Sequence, residues 1–278
     1  MEILLWGNML TSLLVFLCNV SPPLRKVLWR WWYSKLARQV ATEGWTFMNY
    51  GFALADTGSA RLPLEEEDEP DRLCIQLYEF VTRPAELSGS EVLEVGSGRG
   101  GGASYVARYL RPSRITGIDF SPQAVAFCHE RHKNIANLRF AVGDAEALPF
   151  PAASFDAVIN VESSHCYGNV GRFFAEVHRV LRPGGWFLFA DLRSSKDGSA
   201  LEAALRKQPW QHVEKEEITT GVLKALELDD LRKRRMIQQM IPARLRPLFE
   251  EFAGLAGGKV YRGLQGGDLV YLRFALRK

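Results

Sequence analysis

The stretch from Glu91 to Asp119, EVLEVGSGRGGGASYVARYLRPSRITGID, constrains this chain more than any other. Val92, Leu93 and Val95 form a short apolar run that reads as a buried strand. Five glycines follow within seven residues, at 96, 98, 100, 101 and 102. A helical pattern through Tyr105, Val106, Tyr109 and Leu110 is closed by Pro112, and a second apolar strand, Ile115 to Ile118, ends on Asp119. Strand, glycine turn, helix, strand and acid make half of a mononucleotide-binding unit. Glycine suits such a turn because it takes positive φ and lets backbone approach a ligand without a Cβ in the way. The helix that follows points its first amide donors at that ligand. Asp119 is then placed to accept hydrogen bonds from ribose hydroxyls.

The length of 278 residues suits one large α/β domain with additions, or two small domains. A net charge of +3 is too small to argue for nucleic acid as a partner. Cys18, Cys74, Cys128 and Cys166 show no metal-ligand spacing and are too few for a disulfide scaffold, so they read as free thiols, and no metal is expected. Residues 3–20, ILLWGNMLTSLLVFLCNV, are almost uncharged and near the minimum length of a membrane span. No basic segment precedes them, which argues against a secretory signal. Pro22 and Pro23 stop this run, and Trp29, Trp31, Trp32 and Tyr33 then sit among Arg25, Lys26, Arg30, Lys35 and Arg38. Aromatics mixed with basic residues fit an interfacial helix, and the charge bias keeps that side cytosolic. Residues 1–38 are thus the candidate for membrane association, with the catalytic domain facing the cytosol; without it the chain is expected to be cytoplasmic. A helix packed on the domain is the plainer alternative.

Beyond Asp119, strands and helices keep alternating. Ser121 and Pro122 open a helix; Leu138 to Val142 is a strand ending at Gly143, Asp144 and Ala145. Residues 154–163 give a fourth strand, Val170 to Leu181 a helix, and GWFLFADL a fifth strand. Such alternation predicts a parallel sheet covered on both faces. Residues 194–255 read as mainly helical. The last stretch, KVYRGLQGGDLVYLRFALRK, reads as two strands joined at Gly266 and Gly267.

Gly96, Gly98 and Gly101 alone satisfy GxGxxG, which admits a dinucleotide. Glu94 two residues before the first glycine, the GDAEALPF that ends the third strand, and the LRPGG before the fifth strand shift the balance. Together these residues resemble the class I S-adenosylmethionine (SAM)-dependent methyltransferases over residues 86–193. The resemblance implies an α/β fold: a doubly wound, mostly parallel, seven-stranded Rossmann-like sheet with an antiparallel C-terminal hairpin and an N-terminal helical cap. The chain is then expected to divide into a hydrophobic N-terminal helix (1–22), read from its apolar run alone, a cap (23–85), the SAM-binding core (86–193), a helical lid and acceptor region (194–255) and closing strands (256–278). It implies that Gly96, Ser97, Gly98 and Gly100 face the methionine part of SAM, and that Glu94 holds the loop and the ammonium. Asp119 would take the ribose hydroxyls, Phe120 the adenine face, and Asp144 and Ala145 the adenine edge. Asn160 and Val161 would lie beside the transferring methyl.

NVESSHCYG (160–168) sits where an acceptor should approach. His165 is the candidate base for a hydroxyl nucleophile, with its pKa naturally near neutrality, and Glu162 would orient it or act through a water. His129, His132 and His178 read as surface or packing residues. NVESSHCY, with RWWYSKL and FMNYG upstream and LQGGDLVY at the end, narrows the resemblance to the phthiotriol/phenolphthiotriol dimycocerosate methyltransferases, and more distantly to sterol methyltransferases. Those enzymes methylate a hydroxyl or an alkene carbon of large lipids. The resemblance therefore implies O-methylation of a lipophilic small molecule, with Trp45, Phe47 and Tyr50 against the acceptor. N- or S-methylation of a small metabolite, C-methylation of a sterol-like alkene, and a non-catalytic SAM-binding protein remain open alternatives.

Overall fold

A computed structural model describes residues 45–53 and 62–278. The apolar run at 3–20 and the basic aromatic segment to residue 38 lie outside the described residues. The strands are β1 (Glu91–Val95), β2 (Arg114–Asp119), β3 (Leu138–Val142), β4 (Phe155–Val161), β5 (Leu181–Ser194), β6 (Gln211–Glu217) and β7 (Leu269–Arg277). They form one sheet in the order β3-β2-β1-β4-β5-β7-β6. The first five pair in parallel, and β7 runs antiparallel to both β5 and β6.

Side-chain alternation divides each central strand between two cores. Val92 of β1 and Leu188 of β5 join one apolar cluster, while Leu93, Phe187 and Phe189 join the other. Helices α1 (Arg72–Thr82), α2 (Gly101–Tyr105), α3 (Pro122–Arg131), α6 (Thr219–Met240) and α8 (Lys259–Gly266) supply the first cluster. Helices α4 (Val170–Val180) and α5 (Ser195–Leu205) supply the second, led by Phe173, Phe174 and Leu201, and α7 (Arg246–Phe252) adds Phe249 to a smaller third cluster. With both faces covered, the middle strands read as nearly continuous apolar runs. Ser121 caps α3 as expected, its hydroxyl accepting from the Ala124 amide at 3.3 Å.

Two parts of the C-terminal reading need correction. Lys259–Gly266 is a helix rather than the first strand of a hairpin. Val260, Tyr261 and Leu264 recur at helical spacing and pack on the first core, and Gly267 ends the helix at φ 78°. The antiparallel finish comes instead from β7, inserted between β5 and β6. Strand β6 (QHVEKEE) escapes an apolar reading because it is an edge strand with a single neighbour.

The connections after β1 and after β4 lead to opposite sides of the sheet. That switch point opens a crevice at the carboxyl ends of β1 and β4, the usual ligand site of such sheets. Close packing there is already tight: a Cβ on Gly102 would lie 2.0 Å from the Tyr78 ring. Gly102→Ala should therefore destabilise the protein by about 1–3 kcal/mol, the usual penalty of overpacking. The check is a lower denaturation midpoint at unchanged denaturant dependence.

Candidate active site

Strand β1 ends in a loop whose glycines 96, 98 and 100 all take positive φ. The amides of Gly96 and Ser97 donate to the Ile118 carbonyl at 2.8 and 2.9 Å, pinning the loop across to β2. Asp119 continues that attachment, accepting from Gly98 N at 3.0 Å and Ser121 N at 2.9 Å. A Cβ on Gly96 would sit 2.3 Å from Ser163 Oγ, so no other residue fits between the β1 and β4 loops. From below, buried His132 donates its Nε2 proton to the Arg99 carbonyl at 3.1 Å, a packing role as expected.

The crevice is a cavity of about 1580 Å³ including its open mouth. Gly96, Ser97, Gly98, Asp119, Phe120, Asp144, Ala145 and Val161 line one part of it. Asp144 also accepts from Glu146 N at 3.0 Å, which holds the turn after β3. Trp45, Phe47 and Tyr50 of the cap line the rest, together with Glu162, His165 and Phe252. Glu94, Gly100 and Asn160 stand behind the wall. Gly100 faces His132 and Phe140, which leaves it a purely conformational part in the loop. Asn160 donates to Val95 O (2.8 Å), Ser163 Oγ (2.7 Å) and Tyr167 Oη (3.0 Å), joining the loop of β1 to that of β4.

The cap segment is fastened at both ends of the cavity. The Arg99 guanidinium donates to the Trp45 carbonyl, and Gly101 N donates to Thr46 O at 3.3 Å. At the far end Tyr50 N donates to Glu162 Oε1 at 2.8 Å, and the Tyr271 hydroxyl of β7 donates to the same oxygen at 2.8 Å. Glu162 holds this position at φ 49°, a left-handed conformation unusual for glutamate and characteristic of constrained sites. Burial pushes its carboxyl up to about 7 despite those two donors. Glu162 does not orient His165. That role falls to Asp191, at the end of β5, whose Oδ1 lies 2.7 Å from His165 Nδ1.

Asp191 is fully buried, and accepts from Ser164 Oγ (2.6 Å), His165 N (2.9 Å) and Leu192 N (2.8 Å). Burial alone would raise its pKa, but Arg193, 3.0 Å away, and His165 hold the carboxyl well below its usual range. Asp191, Tyr78, Tyr271 and Phe252 are site residues that sequence reading overlooked. Asp191 carried a signal, an acid closing the apolar run GWFLFAD.

The glycine-loop side carries unpartnered polar atoms: Glu94 Oε2, Ser97 Oγ and Asn160 Oδ1 are buried without a hydrogen bond. Such atoms are costly and call for a partner. Glu94 accepts from the Tyr78 hydroxyl at 2.6 Å through its other oxygen, and burial pushes its carboxyl up to about 8. Burial likewise raises Asp119 to about 6. A wall of buried acids and backbone turns suits a cationic, hydroxyl-bearing ligand.

The comparisons with known proteins agree. A family model described as "Methyltransferase domain" matches residues 93–189. The phthiotriol/phenolphthiotriol dimycocerosates methyltransferase of Mycobacterium tuberculosis is 40% identical over 253 residues, covering 91% of this chain and 93% of the relative. The chain belongs to the SAM-dependent methyltransferases, in the family of that relative. A fatty-acid O-methyltransferase of Mycolicibacterium smegmatis is 42% identical over 222 residues, covering 79% of each chain. Among solved structures, geranyl diphosphate C-methyltransferase from Streptomyces coelicolor A3(2) aligns with TM-score 0.64 at 17% identity, covering 91% of this chain and 97% of that one. The cyclase SpnF aligns with TM-score 0.65 at 21% identity, covering 88% and 92%. These two likenesses establish the fold alone.

In the methyltransferase, Asp119 would hold the SAM ribose, the glycine loop and Glu94 the methionine part, and Asp144 with Ala145 the adenine. Bound there, SAM supplies an electrophilic methyl on a sulfonium. Glu94→Gln tests the electrostatics. A buried acid whose pKa is raised on folding loses stability as pH climbs from its unfolded value, near 4.5, toward about 8. Removing that charge should make the ligand-free variant at least as stable as wild type at pH near 8. The same variant should show a smaller rise in Tm with excess SAM, because the negative charge behind the glycine loop, expected to favour the cofactor's ammonium, is gone. A full SAM-induced rise in the variant would remove Glu94 from cofactor binding.

Proposed function

We propose that the methyltransferase transfers the SAM methyl to a hydroxyl oxygen of a lipophilic small molecule. One observation carries this reading: the His165–Asp191 pair opens into the same cavity as the aromatic wall of Trp45, Phe47, Tyr50 and Phe252. The aromatic wall suits an apolar acceptor, and the pair supplies what a hydroxyl needs and a carboxylate does not, a base. The names of the two mycobacterial relatives support the lipophilic acceptor.

Nδ1–H donates to Asp191, which fixes the tautomer and leaves Nε2 to take the hydroxyl proton as the oxygen attacks the methyl in line. The buried Asp191 carboxylate then stabilises the imidazolium. Alignment of the two reactants is worth up to ~7–11 kcal/mol, and a positioned base a further ~10²–10⁴-fold. Burial acts to lower the His165 pKa, but Cys166 and Asp191 outweigh it and hold it well above the ordinary histidine range. The base form therefore appears only as pH rises past about 6.5, the usual histidine value. Methylation of a long-chain alcohol should climb with pH across that region. In Asp191→Asn turnover should fall by about 100-fold or more, with the climb moved to lower pH and SAM binding kept. A flat profile together with normal Asp191→Asn turnover would leave the hydroxyl reading without its base. A small polar amine, tested alongside, should not be methylated.

A lipid-phase acceptor also gives a purpose to residues 1–38, which we assign to membrane association on their sequence. Among the described residues, no helix is long and apolar enough to cross a membrane. Removing residues 1–22 should shift the protein from the membrane fraction to the supernatant; equal partitioning of both forms would end that assignment.

A further inference from the structure

Tyr78 reaches the cavity from α1, outside the strand–turn–helix unit that holds the glycine loop. Its ring lies edge-on to Phe47 of the cap, centroids 6.1 Å apart, and fills the space where a side chain at Gly102 would go. Its hydroxyl donates to Glu94 Oε1 at 2.6 Å, while Glu94 Oε2 is buried without a hydrogen bond. Both residues are buried, Glu94 almost completely. Against the desolvation of Glu94 stand the Tyr78 hydroxyl first and the Ala103 amide second. The other titratable groups that act on this acid are Asp119 of β2 and Cys128 of α3, neither of them a cation. Arg99, on the glycine loop, directs its guanidinium to the Trp45 carbonyl and the Phe127 ring. Glu162 and Cys74 act on Tyr78 itself. Burial and the neighbouring Glu94 push the phenol well above its ordinary value, so Tyr78 remains a donor at every working pH.

We infer that Tyr78 is a positioning residue for the cationic end of the cofactor: its hydroxyl fixes the Glu94 carboxylate behind the glycine loop and favours its ionised form. This role rests on the reading of Glu94 as the acid that favours the ammonium. A hydrogen bond to a carboxylate is stronger than one to the neutral acid, so a donor that cannot ionise favours the charged state. Without the hydroxyl, Glu94 Oε1 loses its side-chain donor and the acid holds its proton to higher pH. Cofactor binding must then displace that proton at a greater cost. Tyr78 also packs on Phe47, so the residue that serves the cofactor's acid supports the acceptor wall with the other face of the same side chain.

The experiment measures SAM binding by calorimetry from about pH 6 to about pH 9 on the full-length protein, Tyr78→Phe, Glu94→Gln and the double variant. Phenylalanine keeps the ring against Phe47 and Gly102 and removes only the hydroxyl, and ligand-free unfolding shows that each variant is folded across the range. Tyr78→Phe should bind SAM about 10–100-fold more weakly near pH 7, the range of a hydrogen bond to a charged group. The gap should narrow above about pH 8, where the wild-type Glu94 is already ionised and only the variant still gains. The ligand's own ammonium titrates alike in all four proteins and cancels between them, and Asp119 titrates lower, at about 6. In the Glu94→Gln background the loss of the hydroxyl should have no further effect. A gap of the same size at every pH, or an equal loss in the Glu94→Gln background, would reduce Tyr78 to a packing residue and overturn the inference. Unchanged SAM binding in Glu94→Gln would instead overturn the reading of Glu94 beneath it.

Discussion

One carboxylate oxygen ties together the three parts of the chain that make the cavity. Glu162 Oε1 accepts from the Tyr50 amide of the cap and from the Tyr271 hydroxyl of β7, while its own backbone continues β4. The left-handed turn at Glu162 directs the chain into the short 3₁₀ turn Ser164–Cys166, which carries His165. Holding a non-glycine residue in that conformation costs of order 1–3 kcal/mol, so the surrounding contacts must over-determine it. The two hydrogen bonds do so, and the cap's attachment to Arg99 and Gly101 fixes its other end.

The site is built from acids that burial makes reluctant to ionise. Glu94, Asp119 and Glu162 are all raised by desolvation, and the cations nearby are committed elsewhere: Arg193 pairs with Asp191. A buried carboxylate without a cation holds its proton to higher pH than an exposed one, and a ligand's positive charge favours its ionised form. In the proposed binding mode the ammonium and sulfonium of SAM would supply that charge, and cofactor binding would then be linked to proton release from these acids. Asp191 is the exception: surrounded by donors, it keeps its charge permanently and can serve the histidine in every state.

What sequence showed and what it concealed follow the range of the interactions. The glycine turn, Asp119 and Asp144 belong to local strand–turn–helix units, and their signal is contained in a few consecutive residues. So is the Ser121 cap. Tyr78 reaches Glu94 from a helix outside the unit, and Tyr271 reaches Glu162 from the far end of the chain. Neither pairing exists until the sheet is assembled, so no local pattern announces it. The strand β6 and helix α8 were misread for a related reason. An edge strand can be polar, and a short apolar pattern such as VYRGL is settled by what it packs against. The residues first assigned to the methyl-binding edge divide the same way: Val161 reaches the cavity, whereas Asn160 one position earlier points behind it.

The same sheet supports other outcomes, as the likeness to a C-methyltransferase and to a cyclase makes plain. What this chain adds is set by register. Val161 pairs with Ala190 across β4 and β5, so the next residue on each strand, Glu162 and Asp191, emerges side by side at the carboxyl edge. Adjacent parallel strands lie about 4.8 Å apart, which puts the loop carrying His165 within hydrogen-bond reach of the acid on the neighbouring strand. A slip of one residue in that pairing would turn Asp191 to the opposite face and leave His165 without its partner. The dyad thus depends on the apolar registration of Ile159, Leu188 and Phe189 beneath it, packing residues with no chemistry of their own. The geometry of the histidine–carboxylate pair is a consequence of core packing two residues upstream.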